Sequence, residues 1–336
     1  QTYLDTAKKY FNHAVPENAM KWTENESVRD RIDYTTADRM VAWCRTNGLS
    51  VRGHCVIWGC PEFMPKWVNE LKGDALRSAL LLRTESIMEH FKGRVDEFDV
   101  MNEILHCTAL ESGLGEKIRK QIYKSARSSN GKAVLYVNDY GILEGMELDR
   151  YVEQIKAMID MGVPVGGIGL QAHCSGAIEA CSVRKALDAL AAFKLPIKIT
   201  EFDCTAGTET VQAQSLVDLY RTAFAHPAVE GILMWGFWEK WHWQPKAALW
   251  RADFTKKPAA EAYENLVFSN WWTRVEGQTD SRGEFTCKAF YGDYVLTATG
   301  TNGQPVIQDF SLHRKKGEGK ATLTFAAPKK AESGEE

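Results

Sequence analysis

The 336-residue chain has no apolar run approaching 18 residues, so nothing in it reads as a bilayer-spanning helix. It has no long basic stripe either. Its 41 Lys+Arg stand against 44 Asp+Glu, a net charge of -3, which disfavours nucleic acid and anionic membrane as partners. No CxxC pair occurs among the eight cysteines (44, 55, 60, 107, 174, 181, 204 and 287), which excludes a zinc-ribbon or thioredoxin-type motif. The GxSxG elbow of serine acyl transfer, the GxGxxG dinucleotide loop and a tight H-x-H metal pair are all missing. The opening stretch QTYLDTAKKYFNHAV lacks a signal peptide's apolar core, so the expectation is that any export signal was removed or never present. With 44% hydrophobic and 25% charged residues, the composition is that of a globular protein and excludes intrinsic disorder.

What is present has a regular period. Apolar, β-rich runs recur as FNHAV (11–15), VRGHCVIW (51–58), VDEFDVMNE (95–103), AVLYVND (133–139), GGIGLQAH (166–173), PIKITEFD (196–203) and GILMWGFW (231–238), their starts 30 to 44 residues apart. That is the spacing of strand–helix–strand units rather than hairpins. Between them, residues 75–91, 116–128, 147–161, 183–193 and 210–225 carry apolar residues at three- and four-residue steps, the helical period. Repetition of this unit implies a parallel sheet closed into a (β/α)8 TIM barrel. Seven strands are legible, and the eighth, preceding Phe11, is absent or upstream because DTAKKYF reads as helix. The expected division is a barrel over 1–267, a small antiparallel β appendage packed on it over 268–328 with runs in 279–303 and 321–325, and a polar tail over 329–336. The scattered cysteines with mostly apolar flanks are expected to be buried free thiols.

A barrel of this kind gathers its site at the carboxyl ends of the strands. Those ends supply Glu17 and Asn18, His54 and Trp58, Asn102 and Glu103, Asn138 and Asp139, Gln171 and His173, Glu201 and Asp203, and Trp235. Glu103 and Glu201 each follow an apolar run, and a buried carboxylate requires a partner or a function. Two carboxylates facing one cavity suit glycoside hydrolysis. A lone strand-end Glu is equally well explained as a rim salt bridge; Asn102 beside one and Asp203 two residues past the other favour chemistry. Strand parity puts Glu201 and Asp203 on one face, where His173 is able to bridge them, a core histidine bonded to backbone being the alternative. His54, Cys55, Cys60, His173, Cys174 and Asp203 all lie near the expected mouth but do not form a clustered metal-ligand set, so no metal is expected. Seven of the 11 Trp residues fall between 235 and 272, suited to core packing or to stacking on sugars.

Read together, PENAMKW (16–22), RGHCVIW (52–58), DVMNE (99–103), NDY (138–140), GIGLQAH (167–173), ITEFD (199–203), MWGF (234–237) and KKPAAEAY (256–263) resemble glycoside hydrolase family 10, the retaining endo-β-1,4-xylanases. The resemblance covers about residues 11–263. It implies Glu103 as acid/base and Glu201 as nucleophile. Asn102 would bind the 2-hydroxyl at the cleavage point, with His54, Trp58, Gln171 and His173 lining that subsite and Asp203 supporting His173. Glu17, Asn18 and Lys21 would hold the next sugar on the non-reducing side. Trp235 and Trp243 would roof the glycone site, and Tyr140 of NDY joins the substrate-binding set. Glu103 needs a raised pKa, which the nearby negative Glu201 would provide. No cofactor is implied; the partner is xylan or xylo-oligosaccharide, and a polymeric substrate implies a secreted or cell-surface protein. Oligomeric state is not encoded legibly. Three departures stand out: Gly59-Cys60-Pro61 after Trp58, Gly141 after NDY, and the unseen first strand. They bear on affinity, cleavage pattern and stability. The rival readings are a barrel cleaving another β-1,4-glycan and a non-catalytic glycan-binding protein.

Overall fold

The computed structural model describes residues 1–300, 303–313 and 318–325. The chain divides into two compact units, Gln1–Tyr263 and Glu264–Glu336. The first holds β1 (His13–Ala14), β2 (Ser50–Gly53), β3 (Ile57–Trp58), β4 (Glu97–Asn102), β5 (Val134–Asp139), β6 (Gly167–Leu170), β7 (His173–Cys174), β8 (Ile197–Cys204) and β9 (Val229–Met234). All pair in parallel, in the order β1-β2-β4-β5-β6-β8-β9, with β3 and β7 as short extensions on β4 and β8. Each legible run overlaps its strand, with β2, β7, β8 and β9 reaching one or two residues beyond it, and the helices Gly73–His90, Lys117–Ser129, Leu148–Asp160, Ala180–Ala191 and Glu209–Ala225 lie within three residues of the expected bounds. Among the described residues β1 and β9 do not pair with each other, so the barrel is nearly closed with seven principal strands. Thr2–Tyr10 is helical, as its sequence implies. Phe11, just before β1, packs against Phe237, just after β9, with ring centroids 5.3 Å apart, and against Tyr263 at 5.7 Å.

The strands read as continuous apolar runs because helices cover the sheet; every residue of β4 is buried. Two helix tyrosines fasten that cover. Tyr123 Oη donates to Tyr136 O at 2.9 Å and Tyr151 Oη to Gly169 O at 2.9 Å, so each buried hydroxyl satisfies a strand carbonyl. Inside the barrel lies a charge cluster. Arg52, fully buried, donates from Nη1 to Glu97 at 2.8 Å and from Nε to Asp99 at 3.1 Å, with Nη2 also on Asp99, and its guanidinium lies 4.3 Å from the Tyr136 ring centre. Lys198 pairs with the other oxygen of Glu97. Two cations thus face two carboxylates, the condition under which buried charges are tolerated.

In the second unit, β10 (Gly292–Thr299) and β11 (Pro305–Leu312) form an antiparallel pair. Residues 279–291 and 321–325, expected to carry β runs, contain no strand. Around Asp280 the chain turns back on itself, with Gly283 N donating to Asp280 O and Asp280 N to Glu284 O. Alternation of apolar residues makes a strand only where a partner edge accepts its hydrogen bonds. The polar tail at 329–336 lies outside the described residues.

Candidate active site

The carboxyl ends of β4, β5, β6 and β8 bring the polar residues together. Glu103 follows β4 with φ +57°, and Ala172, between β6 and β7, has φ +65°. Left-handed backbone at non-glycine residues costs about 1–3 kcal/mol and gathers at functional sites. Here the turn at Glu103 is fixed by its N–H on Asn138 O at 2.8 Å.

The two glutamates sit in different settings. Glu201, buried, accepts from Asn138 Nδ2 at 2.7 Å on Oε1 and meets His173 Nε2 at 3.1 Å on Oε2, while His54 Nδ1 lies 3.8 Å from Oε1. Both oxygens are held, so its orientation is fixed. Glu103 accepts from Trp58 Nε1 at 2.9 Å on Oε2 and from Gln171 Nε2 at 3.0 Å on Oε1. Burial raises its pKa most; the Gln171 and Trp58 bonds pull the other way, and the charges of Glu201 and Asp139 add to the rise. Desolvation therefore contributes more to that rise than the neighbouring Glu201.

His173 bridges Glu201 and Asp203. Its Nδ1 lies 3.0 Å from Asp203 Oδ2, off the axis of a straight hydrogen bond, and that same oxygen accepts from Trp243 Nε1 at 2.6 Å. Burial would lower the His173 pKa, but the Asp203 and Glu201 carboxylates carry it up to about 10. It is an imidazolium at neutral pH. Asn102 Oδ1 accepts from Asn138 Nδ2 at 2.9 Å, whereas its own Nδ2 is buried and donates to no atom of the described residues. A buried donor aimed into a site without a protein acceptor is suited to a ligand oxygen.

The remaining expected residues are arranged around this pair. Trp235 packs edge-on to His54 at 4.9 Å. Trp243, 50% exposed, presents its ring edge-on to His173 at 5.0 Å. Lys21 Nζ donates to Asn18 Oδ1 at 2.7 Å and lies 5.1 Å from the Trp58 ring centre; Glu17 is half-buried on the same segment. Tyr140, 39% exposed, stacks flat on His106 at 3.8 Å. His106 Nδ1 bonds buried Asp139 at 2.7 Å, and that bond raises its pKa.

Sequence reasoning places Asn138 at a strand end without a role and assigns none to Thr200 or Asp99. Asn138 orients Glu201 and is itself fixed by Thr200 Oγ1 on its Oδ1 at 2.6 Å. Gly169 leaves room for it, since a Cβ there would fall 2.5 Å from Asn138 Oδ1. Asp99 connects Arg52 to His54, whose Nδ1 it meets at 3.0 Å. The available signal was charge inside apolar strand runs at alternate positions. His54, Asp99 and Glu201 have ligand atoms within 4.8 Å of one another, but the Arg52 guanidinium engages both Asp99 oxygens, a donor set unsuited to a cation. The thiol expectation is corrected for one pair: Cys60 and Cys107 form a disulfide because the loops after β3 and β4 meet. Cys44, Cys55, Cys174 and Cys204 are buried free thiols, while Cys181 and Cys287 are free and exposed.

Comparison with known proteins agrees with this geometry. Glycosyl hydrolase family 10 matches residues 1–266. An anti-sigma-I factor, RsgI6, of Acetivibrio thermocellus is 38% identical over 97% of this chain and 42% of its own length. Endo-1,4-beta-xylanase 1 of Arabidopsis thaliana is 32% identical over 94% of the chain and 34% of its length. The chain thus spans well under half of these curated relatives. Among solved structures, xylanase 10B from Thermotoga petrophila in complex with xylobiose superposes with a TM-score of 0.75 at 29% identity, over 80% of this chain and 89% of that one. Family match, barrel and paired carboxylates coincide on one span, and the chain belongs to glycosyl hydrolase family 10.

Proposed function

We propose that the chain is an endo-acting, retaining β-1,4-xylanase that cleaves xylan by double displacement. The observation that carries this reading is the pair of glutamates in unlike settings, Glu103 raised by burial and Glu201 fixed by Asn138 and His173. Glu103 donates its proton to the glycosidic oxygen while Glu201 attacks the anomeric carbon. Water deprotonated by Glu103 then opens the glycosyl-enzyme. Retention requires carboxyl groups about 5–5.5 Å apart. Asn102 Nδ2 donates to the 2-hydroxyl at the cleavage point, lined by His54, Trp58, Gln171 and His173. Asp203 holds His173 in place. Glu17, Asn18 and Lys21 take the next sugar, Trp235 and Trp243 cover the glycone side, and Tyr140 faces the leaving group. A polymer that cannot enter a cell places the enzyme outside it, secreted or on the surface. No step needs a cofactor.

A second reading, a non-catalytic glycan-binding sensor, has one specific support: a relative 38% identical over 97% of the chain is named an anti-sigma-I factor and not a xylanase. One experiment separates the two. Reducing-end release is measured on β-1,4-xylan, with cellulose and mixed-linkage glucan alongside, for wild type, Glu201→Ala and Glu103→Ala. The xylanase reading expects xylan-selective release, abolished in Glu201→Ala. Glu103→Ala keeps aryl glycosides whose activated leaving group needs no acid. No release from any glycan, with xylan still bound by Glu201→Ala, supports the sensor.

A further inference from the structure

Cys60 and Cys107 lie in the loops after β3 and β4, 47 residues apart, and their disulfide joins the two loops beside Glu103. On one side Cys107 N donates to Glu103 O at 2.7 Å, and Cys107 Sγ lies 3.8 Å from Glu103 Oε2. On the other, Cys60 opens a short 3-10 turn, Pro61–Phe63, with Phe63 N on Cys60 O at 3.0 Å. The turn lays Phe63 flat on Trp58, ring centroids 3.6 Å apart and planes 18° apart. Trp58 Nε1 then donates to the same Glu103 Oε2. The contacts close a ring from Cys60 through Phe63, Trp58, Glu103 and Cys107. The loops meet closely because residue 59 is glycine: a Cβ there would sit 3.0 Å from Leu110 and 3.4 Å from Cys107 O.

We propose that the disulfide and Phe63 act as a positioning unit for Glu103, holding Trp58 on its Oε2 and keeping water from that oxygen. Phe63 is 38% exposed, so its ring contributes little to the core; what it covers is Trp58. The disulfide has no hydrogen to donate and presents an apolar wall to the carboxyl. Together they leave the half-buried Oε2 with one donor and an apolar flank. Such a setting favours the protonated carboxyl that general-acid catalysis requires. When the loops loosen, water replaces Trp58 as donor, so the hydrogen bond is exchanged while the burial is lost. The proposal rests on Glu103 being the acid/base.

The test compares Phe63→Ala, Phe63→Tyr and the double variant Cys60→Ser/Cys107→Ser on xylan and on an aryl β-xylobioside with an activated leaving group. For Phe63→Ala and the double variant, kcat on xylan is expected to fall about threefold to tenfold, with the aryl substrate within about twofold. Their alkaline limb of kcat/KM on xylan is expected to move down by about half a pH unit. Phe63→Tyr, which keeps the ring, is expected to restore both. An unchanged limb and unchanged substrate ratio in folded Phe63→Ala overturns the proposal, and so does equal loss on both substrates. If the double variant fails to fold, Phe63→Ala decides, because its side chain is exposed. Glu103→Ala run alongside isolates the underlying assignment: equal loss on both substrates there means that Glu103 is not the acid, whereas selective loss there with silent Phe63 and cysteine variants refutes the positioning unit alone.

Discussion

Asn138→Ala removes a side chain that ties Asn102 to Glu201. Its amide hydrogens reach Glu201 Oε1 at 2.7 Å and Asn102 Oδ1 at 2.9 Å, and its oxygen accepts from Thr200 Oγ1 at 2.6 Å. A hydrogen bond to a charged group contributes about 1.5–3 kcal/mol. If that energy is used to aim Glu201 at the anomeric carbon, kcat/KM falls roughly tenfold to a hundredfold. Truncation also strips Thr200, fully buried, of its acceptor, destabilising the fold by about 1–3 kcal/mol. Asn138→Asp keeps the shape but sets a carboxylate against Glu201, and like charges in contact are expected to cost more than the truncation. Single-turnover release of an activated aryl group isolates the step in which Glu201 attacks, and urea unfolding reads the stability. A folded Asn138→Ala within twofold of wild type in that step, yet destabilised as calculated, would refute a catalytic role for the bond and leave Asn138 a packing residue.

Two further outcomes follow from the charges. Among the described residues, Arg52→Leu leaves the side chain of buried Asp99 with His54 and that of Glu97 with Lys198 and His13, and breaking such a buried pair costs about 3–5 kcal/mol in urea unfolding; a cost under about 1 kcal/mol would show that the cluster is well solvated. His173 has its pKa raised from 6.5 to about 10, so its contribution to stability is complete below pH about 6.5 and is lost as pH rises through about 10. Across that window Tm is expected to fall more steeply in wild type than in His173→Asn, and parallel curves would mean that His173 is neutral in the fold.

The sequence by itself determined the strand–helix alternation and the positions of Glu103, Glu201, His173 and Asp203, because periodicity and parity are properties of neighbours along the chain. Parity alone placed Glu201 and Asp203 on one face of β8, and the structure has His173 between them. Tertiary structure decided what depends on distance between residues far apart in sequence. Asn138 reaches Glu201 across 63 positions, and Gln171 reaches Glu103 across 68. Eight cysteines admit 105 complete pairings on paper. Only the meeting of the loops after β3 and β4 selects Cys60 with Cys107, while buried Cys55 and Cys174 remain free thiols. Arg52, Glu97, Asp99 and Lys198 lie on three strands that parity alone cannot orient toward one another; the closing of the sheet turns them inward, where burial makes their pairing obligatory.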